Sequence, residues 1–166
     1  MAQETQDGGT AAAVGPAAPE HKFLLTLQYV KDLSFENPRA PGIFGQPLKA
    51  PQIAVQIDVN AQALAKTGDY EVVLTISAKA ETEGLQVFEL ELAYGGLFTL
   101  AGIPKDAVQP LLLVEGGRLL FPYARSIVFG TTRDSGFPAL MLQPIDFLQL
   151  YRRKVQQQAS APPASA

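Results

Sequence analysis

Phe88-Glu89-Leu90-Glu91-Leu92-Ala93-Tyr94 runs straight into Gly95-Gly96-Leu97-Phe98, and this stretch decides the fold. Its alternation is strict: Phe88, Leu90, Leu92 and Tyr94 fall on one side, and Glu89, Glu91 and Ala93 on the other. A strand sorts side chains with period 2, so one face is apolar and the other presents two carboxylates. No nucleophile or base accompanies them. Such a sheet covers a core on one side and shows an acidic surface on the other, which suits a protein that holds other chains rather than one that transforms a substrate.

Upstream segments alternate in the same way. Residues 23–31 put Phe23, Leu25, Leu27 and Tyr29 on one face, and residues 32–36 stay extended into Asn37-Pro38. A loop follows, punctuated by Pro38, Pro41, Gly42, Gly45, Pro47 and Pro51. Residues 53–60 and 69–80 give two more strands, the second with Tyr70, Val72, Leu74 and Ile76 inward. The short connector Glu81-Thr82-Glu83-Gly84 predicts an antiparallel hairpin with the strand of residues 87–98. Downstream, Pro104 starts a short helix that ends at Gly116-Gly117, and Pro122 sits in the first turn of another. Ala124, Ile127, Val128 and Thr131 recur there at helical spacing. Residues 136–144 hold Pro138 and Pro144 and read as an extended apolar crossover; Asp146 then opens a last helix to about Gln158. Four strands followed by helices predict an α+β domain, a four-stranded antiparallel sheet covered by helices.

With 166 residues the chain suits one domain. Residues 1–21 and 159–166 are rich in Ala, Gly, Pro and Ser and are expected to be disordered tails around a folded part at 22–158. Only 17% of residues are charged against 47% apolar, so surplus apolar surface is expected to find an oligomer or a standing binding surface. Residues 1–104 hold six Lys/Arg against twelve Asp/Glu, and residues 105–166 hold seven against four. Neither half is the basic block that nucleic acid demands. There is no cysteine and one histidine, His21, so thiolate metal sites and a His-based triad lack their parts. The alanine-rich start lacks a basic n-region and no run reaches a membrane span, so a cytoplasmic address and no membrane insertion are expected.

Five groups of residues stand out together: Lys31-Asp32-Leu33-Ser34-Phe35-Glu36-Asn37-Pro38, Tyr70-Glu71-Val72-Val73-Leu74, Gly95-Gly96-Leu97-Phe98-Thr99-Leu100-Ala101-Gly102-Ile103, Leu120-Phe121-Pro122-Tyr123-Ala124-Arg125, and Gly136-Phe137-Pro138 with Leu142-Gln143-Pro144-Ile145-Asp146-Phe147. Through them the chain resembles the SecB family of bacterial protein-export chaperones. The five groups stand in the family's order and spacing over about residues 23–155. The resemblance implies a homotetramer, a dimer of dimers with helices between two large sheets, that binds unfolded precursor proteins and passes them to the motor SecA without cofactor or nucleotide. Two positions depart: Leu48 where the family often has Trp, and Glu89 where it commonly has Leu.

Asp32 and Glu36 share one side of their strand, as Glu89 and Glu91 do of theirs. Without the resemblance they are a solvated face. With it, Asp32, Glu36 and Glu91 match positions that hold the basic, zinc-containing tail of SecA, and Glu89 is an added acid. Ile43, Phe44 and Leu48 either close the core or form one wall of a client groove; Leu140, Met141, Leu142, Phe147, Leu150 and Tyr151 supply the rest. Methionine and aromatic side chains adapt to many partners. Tyr123, Ala124 and Ile127 are expected at the subunit contact, and Leu90, Leu92 and Tyr94 at the core or that same contact. Two rivals remain: a carrier of a small apolar ligand between sheet and helices, and a carboxylate enzyme using Asp32 and Glu36.

Overall fold

A computed structural model describes residues 20–45, 47 and 49–160. β1 (Lys22–Glu36), β2 (Gln52–Ala63), β3 (Asp69–Thr82) and β4 (Leu85–Ala101) form one antiparallel sheet in the order β1-β4-β3-β2. The predicted hairpin joins β3 to β4 through Glu83 and Gly84, whose φ values of 49° and 78° match the left-handed pair that a two-residue turn needs. The strand that decided the fold is flanked on both sides, by β1 and by β3. Its apolar set, Phe88, Leu90, Leu92 and Phe98, is buried, the last three beneath the helices. Leu90, Leu92 and Phe98 join Val72, Leu74 and Ile76 of β3 in the main core.

β1 departs from simple alternation. Its register with β4 skips at Thr26 and again at Lys31. Each extra residue turns the strand over by one face. Phe23 and Leu25 therefore face the helices as expected, but Leu27 and Tyr29 pair with Leu97 and Gly95 on the outer face.

The helical half is one rod with a widened turn, not two separated helices. α1 (Lys105–Leu111) passes through a π turn (Leu112–Gly116) into α2 (Gly117–Asp134). Gly116 and Gly117 do not stop the helix; their φ values of −58° and −57° are helical. They are needed for close approach. A Cβ on Gly116 would meet the Val72 side chain at 3.3 Å, and one on Gly117 would lie 2.6 Å from the Phe147 ring. Pro122 accordingly lies inside α2 rather than at a helix start, with its ring exposed to solvent. Leu112, Leu113 and Val114 are all buried because the π turn contacts β2 and β3 on one side and the last helix on the other.

Residues 135–146 form a strap without regular structure, and α3 (Phe147–Ser160) follows. The Asp146 carboxylate accepts the Gln149 N–H at 3.0 Å, the N-cap expected there. Ala159 and Ser160 complete α3; the tail expectations for residues 1–19 and 161–166 lie outside the described residues. A second small core of Ile43, Ala80, Val87 and Phe88, backed by Phe35 and Phe137, closes the far end of the sheet.

Candidate functional site

Register assembles the acidic face. On the side of the sheet away from the helices, Glu36, Glu89 and Lys79 stand in line across β1, β4 and β3. The next row is Ser34, Glu91 and Ser77, and the next is Asp32, Ala93 and Thr75. Neighbouring strands lie about 4.8 Å apart, and Asp32 and Glu36 about 13 Å along theirs. The four predicted carboxylates thus stand around a floor of small side chains. Asp32, Glu36 and Glu91 are exposed, and Glu89 is half-buried, accepting Gln86 Nε2 at 3.1 Å. Among the described residues no group of three or more His, Cys, Asp or Glu has the geometry to hold a metal ion. The arrangement fits a basic partner that is itself multivalent. Lys79, which also pairs with Glu81 at 2.9 Å, partly offsets the charge of Glu89.

Further along the same face lies a polar knot that sequence patterning gave no sign of. Glu71 is 6% exposed although it sits on the outer side. It is covered by side chains rather than sunk in the core. Tyr29 crosses over Gly95 to donate its hydroxyl to Glu71, Lys31 Nζ reaches both carboxylate oxygens at 2.8 Å, and Gln62 adds a third donor. The Lys31 ammonium, foremost, and the Tyr29 hydroxyl hold the Glu71 carboxyl below the usual range. Burial and the adjacent carboxylate push Tyr29 up to about 12. The bulge at Thr26 makes this possible, since it brings Tyr29 to the outer face, and Lys31, the extra residue of the second bulge, reaches the same carboxylate.

The apolar groove lies on the other side of the sheet, between the free edge of β2, the strap and α3. Its cavity of about 550 Å³ is lined by Val55, Ile57, Leu140, Met141, Leu142, Ile145 and Leu150 among others. Of the residues expected there, Leu140 and Leu150 are half-buried, Met141 is 52% exposed, and Leu142 is buried as floor. Two expectations need correction. Phe147 is only 2% exposed, because its ring fills the space left by Gly117 and packs against Phe121, so it is core. Ile43 is 6% exposed and belongs to the second core. Tyr151 lines a neighbouring crevice with Asp58, Val59 and Lys154. Phe44 stands half exposed, its ring 5.4 Å from that of Phe137 and over Gly136, which has φ 87° and no Cβ in the way. Leu48 lies outside the described residues.

One buried hydroxyl fixes the groove wall. Thr132, at 0% exposure, donates back to the Val128 carbonyl at 2.9 Å and accepts the Leu140 N–H at 2.9 Å. It ties the strap to α2 at the residue where the groove begins. Val55, Ile57 and Ile145 were not singled out from the sequence, because only the sheet order shows that β2 is an edge.

Of the proposed subunit-contact residues, Leu90, Leu92 and Ala124 are 0% exposed within one chain and offer nothing to a second copy. Tyr94 is buried with its ring stacked 6.5 Å from that of Tyr123, which is 53% exposed, and Ile127 is half-buried.

Residues 16–158 match the family model described as preprotein translocase subunit SecB. The chain is 50% identical over 145 residues to the protein-export protein SecB of Bradyrhizobium sp. (strain BTAi1), covering 87% of this chain and 89% of that one. It is also 50% identical over 150 residues to the protein of the same name from Afipia carboxidovorans, covering 90% and 92%. Among solved structures, a Mycobacterium tuberculosis SecB-like chaperone in complex with an antitoxin peptide matches with a TM-score of 0.61 at 15% identity, covering 74% of this chain and 90% of that one. That likeness carries the fold: a four-stranded antiparallel sheet with helices.

Proposed function

The chain belongs to the SecB family of protein-export chaperones, and from that premise we propose how its two surfaces divide the work. It is a chaperone and not an enzyme, and membership implies unfolded precursor proteins and SecA as its partners. The groove of Val55, Ile57, Leu140, Met141 and Leu150 takes apolar segments of an unfolded precursor, and Phe44 with Phe137 takes aromatic ones. The observation that carries this is the coincidence of an exposed apolar channel with a strand edge that is unpaired among the described residues. β2 offers backbone N–H and C=O groups beside the groove, so an extended client gains hydrogen bonds and side-chain burial together. Each apolar segment contributes roughly 25 cal/mol per Å² buried. No ATP is required: a client that folds withdraws its apolar segments and leaves.

The acidic outer face of Asp32, Glu36, Glu89 and Glu91 receives the basic, zinc-containing tail of SecA. Its position on the opposite side of the sheet leaves the client in place while the motor docks. The subunits assemble as a dimer of dimers in the cytoplasm. Supporting this assembly, Leu27, Val30 and Leu33 are 54%, 47% and 41% exposed on the other edge strand, and Leu119 and Tyr123 stand out from α2. Several grooves on one tetramer turn modest contacts into tight holding.

A photo-crosslinking side chain installed at Met141 tests the division of labour against one installed at Ser77. An unfolded client is expected to crosslink at 141 and the SecA tail at 77. The reverse pattern, or both partners at one site, contradicts the proposal.

A further inference from the structure

Lys154 makes a set of contacts unlike that of any other cation among the described residues. It projects from α3 onto the edge of β2, where its Nζ lies 2.8 Å from the Asp58 carboxylate, 2.8 Å from the Val59 carbonyl and 2.8 Å from the Asn60 side-chain carbonyl. Its side chain is 26% exposed, so this is a seated group rather than a waving surface lysine.

The parity of β2 gives these contacts a meaning. Leu64 N–H donates to the Asp69 carbonyl, which continues the register Ala63 with Tyr70 by one step. In an antiparallel pair, hydrogen-bonded positions alternate. The even-numbered residues of β2 therefore spend their backbone groups on β3, and Ile53, Val55, Ile57 and Val59 turn theirs outward. The Lys154 bond to the Val59 carbonyl agrees with this parity independently. Ile53 and Val55 are each 40% exposed and border or extend the groove, whereas Val59 is 3% exposed. Among the described residues, the outward ladder is thus open at Ile53, Val55 and Ile57 and occupied at Val59 by an ammonium group. A lysine placed on a sheet edge is one of the means by which proteins block strand addition.

We propose that Lys154 is a ladder stop: an extended apolar client segment pairs with β2 at Ile53, Val55 and Ile57, and Lys154 ends that pairing at Val59 while clamping α3 along the groove. Lys154 then sets the length and register of the client segment held by one groove. It acts as a specificity-determining residue in a site that otherwise reads no sequence. The inference rests on the groove proposed above as the client site.

The test is residue-resolved amide hydrogen exchange of the full chain with and without a saturating, uncharged, extended apolar peptide of about ten residues. The wild type is compared with Lys154→Met, which keeps the aliphatic stem, and with Lys154→Arg, which keeps the cation. In the wild type and the arginine variant, peptide binding is expected to slow exchange at Ile53, Val55 and Ile57 and leave Val59 unchanged. In the methionine variant, protection is expected to spread to Val59, and a longer peptide to gain affinity over a shorter one by at least threefold. Protection that ends at Ile57 in all three proteins overturns the stop while leaving the groove intact, as does peptide-induced protection of Val59 in the wild type. No protection anywhere on β2 overturns both. If the methionine variant does not fold, the wild type and arginine variant with peptides of graded length decide: affinity that keeps rising beyond the roughly five residues needed to pair with Ile53 to Ile57 overturns the proposal.

Discussion

Lys79 stands directly across from Glu89 on the outer face of the sheet. Glu89 therefore has a cation beside it, which also lies next to Glu81 at 2.9 Å. The net charge offered to a basic partner is carried chiefly by Asp32, Glu36 and Glu91. Lys79→Ala is expected to tighten binding of the SecA tail by roughly threefold and to steepen its salt dependence. Asp32→Ala and Glu91→Lys should weaken binding and flatten that dependence, and Glu89→Leu should keep binding with less sensitivity to salt. Calorimetric titration at low and high salt checks all four.

The Lys79 contact was hidden in the sequence for a definite reason. Counting back from the two-residue turn, Lys79 should face Phe88. Val87 is an extra residue in β4, and the register slips by one between Ala80 and Glu81, so Lys79 meets Glu89 instead. The same kind of bulge at Thr26 moved Leu27 and Tyr29 to the outer face, and the one at Lys31 returns Asp32 and Glu36 to it. Alternation in β2, in β3 and in β4 from Phe88 onward was legible because period 2 holds along a regular strand; bulges leave no compositional mark. Gly116 and Gly117 misled in a different way. Glycine serves both helix ends and close packing, and only the positions of Val72 and Phe147 tell which. The acidic face was readable because its residues share parity, whereas Val55, Ile57 and the anchor Thr132 depend on sheet order and on a contact between residues eight apart.

The knot around Glu71 predicts a pH-dependent stability. Its carboxyl is held below the normal glutamate range in the folded chain, so the stabilisation is present at neutral pH and is lost as pH falls through the folded value. Glu71→Gln is expected to cost about 2 kcal/mol at pH 7, with the difference from wild type closing below about pH 4. Tyr29 has the opposite sign. Its phenol is raised to about 12, so its contribution is complete below about pH 10 and fades as pH rises through the folded value. Urea unfolding across that range, with Tyr29→Phe as comparison, measures both.

Groove residues and core residues should separate cleanly. Replacing Val55 and Met141 together with Ser is expected to weaken client holding roughly tenfold with little change in melting temperature, since both are substantially exposed. Gly117→Ala, which puts a Cβ 2.6 Å from the Phe147 ring, is expected to lower stability by about 1–3 kcal/mol. Thermal melts and fluorescence titration of an unfolded client distinguish the two classes.

Assembly has its own signature. The solution mass should be four times the 17.8 kDa of the chain, and Leu27→Lys with Leu33→Lys on the β1 edge should reduce it. Light scattering coupled to gel filtration reads the mass of each, and a wild-type mass of one chain at micromolar concentration contradicts the tetramer.

This chain is expected to hold unfolded proteins by apolar contact without ATP. Light scattering of a chemically denatured precursor, diluted into buffer with and without the protein and with no nucleotide present, tests it most directly. Aggregation is expected to be suppressed near one tetramer per client and restored by the Val55→Ser, Met141→Ser double variant. Aggregation that proceeds unchanged in the presence of excess folded wild-type protein would contradict the account.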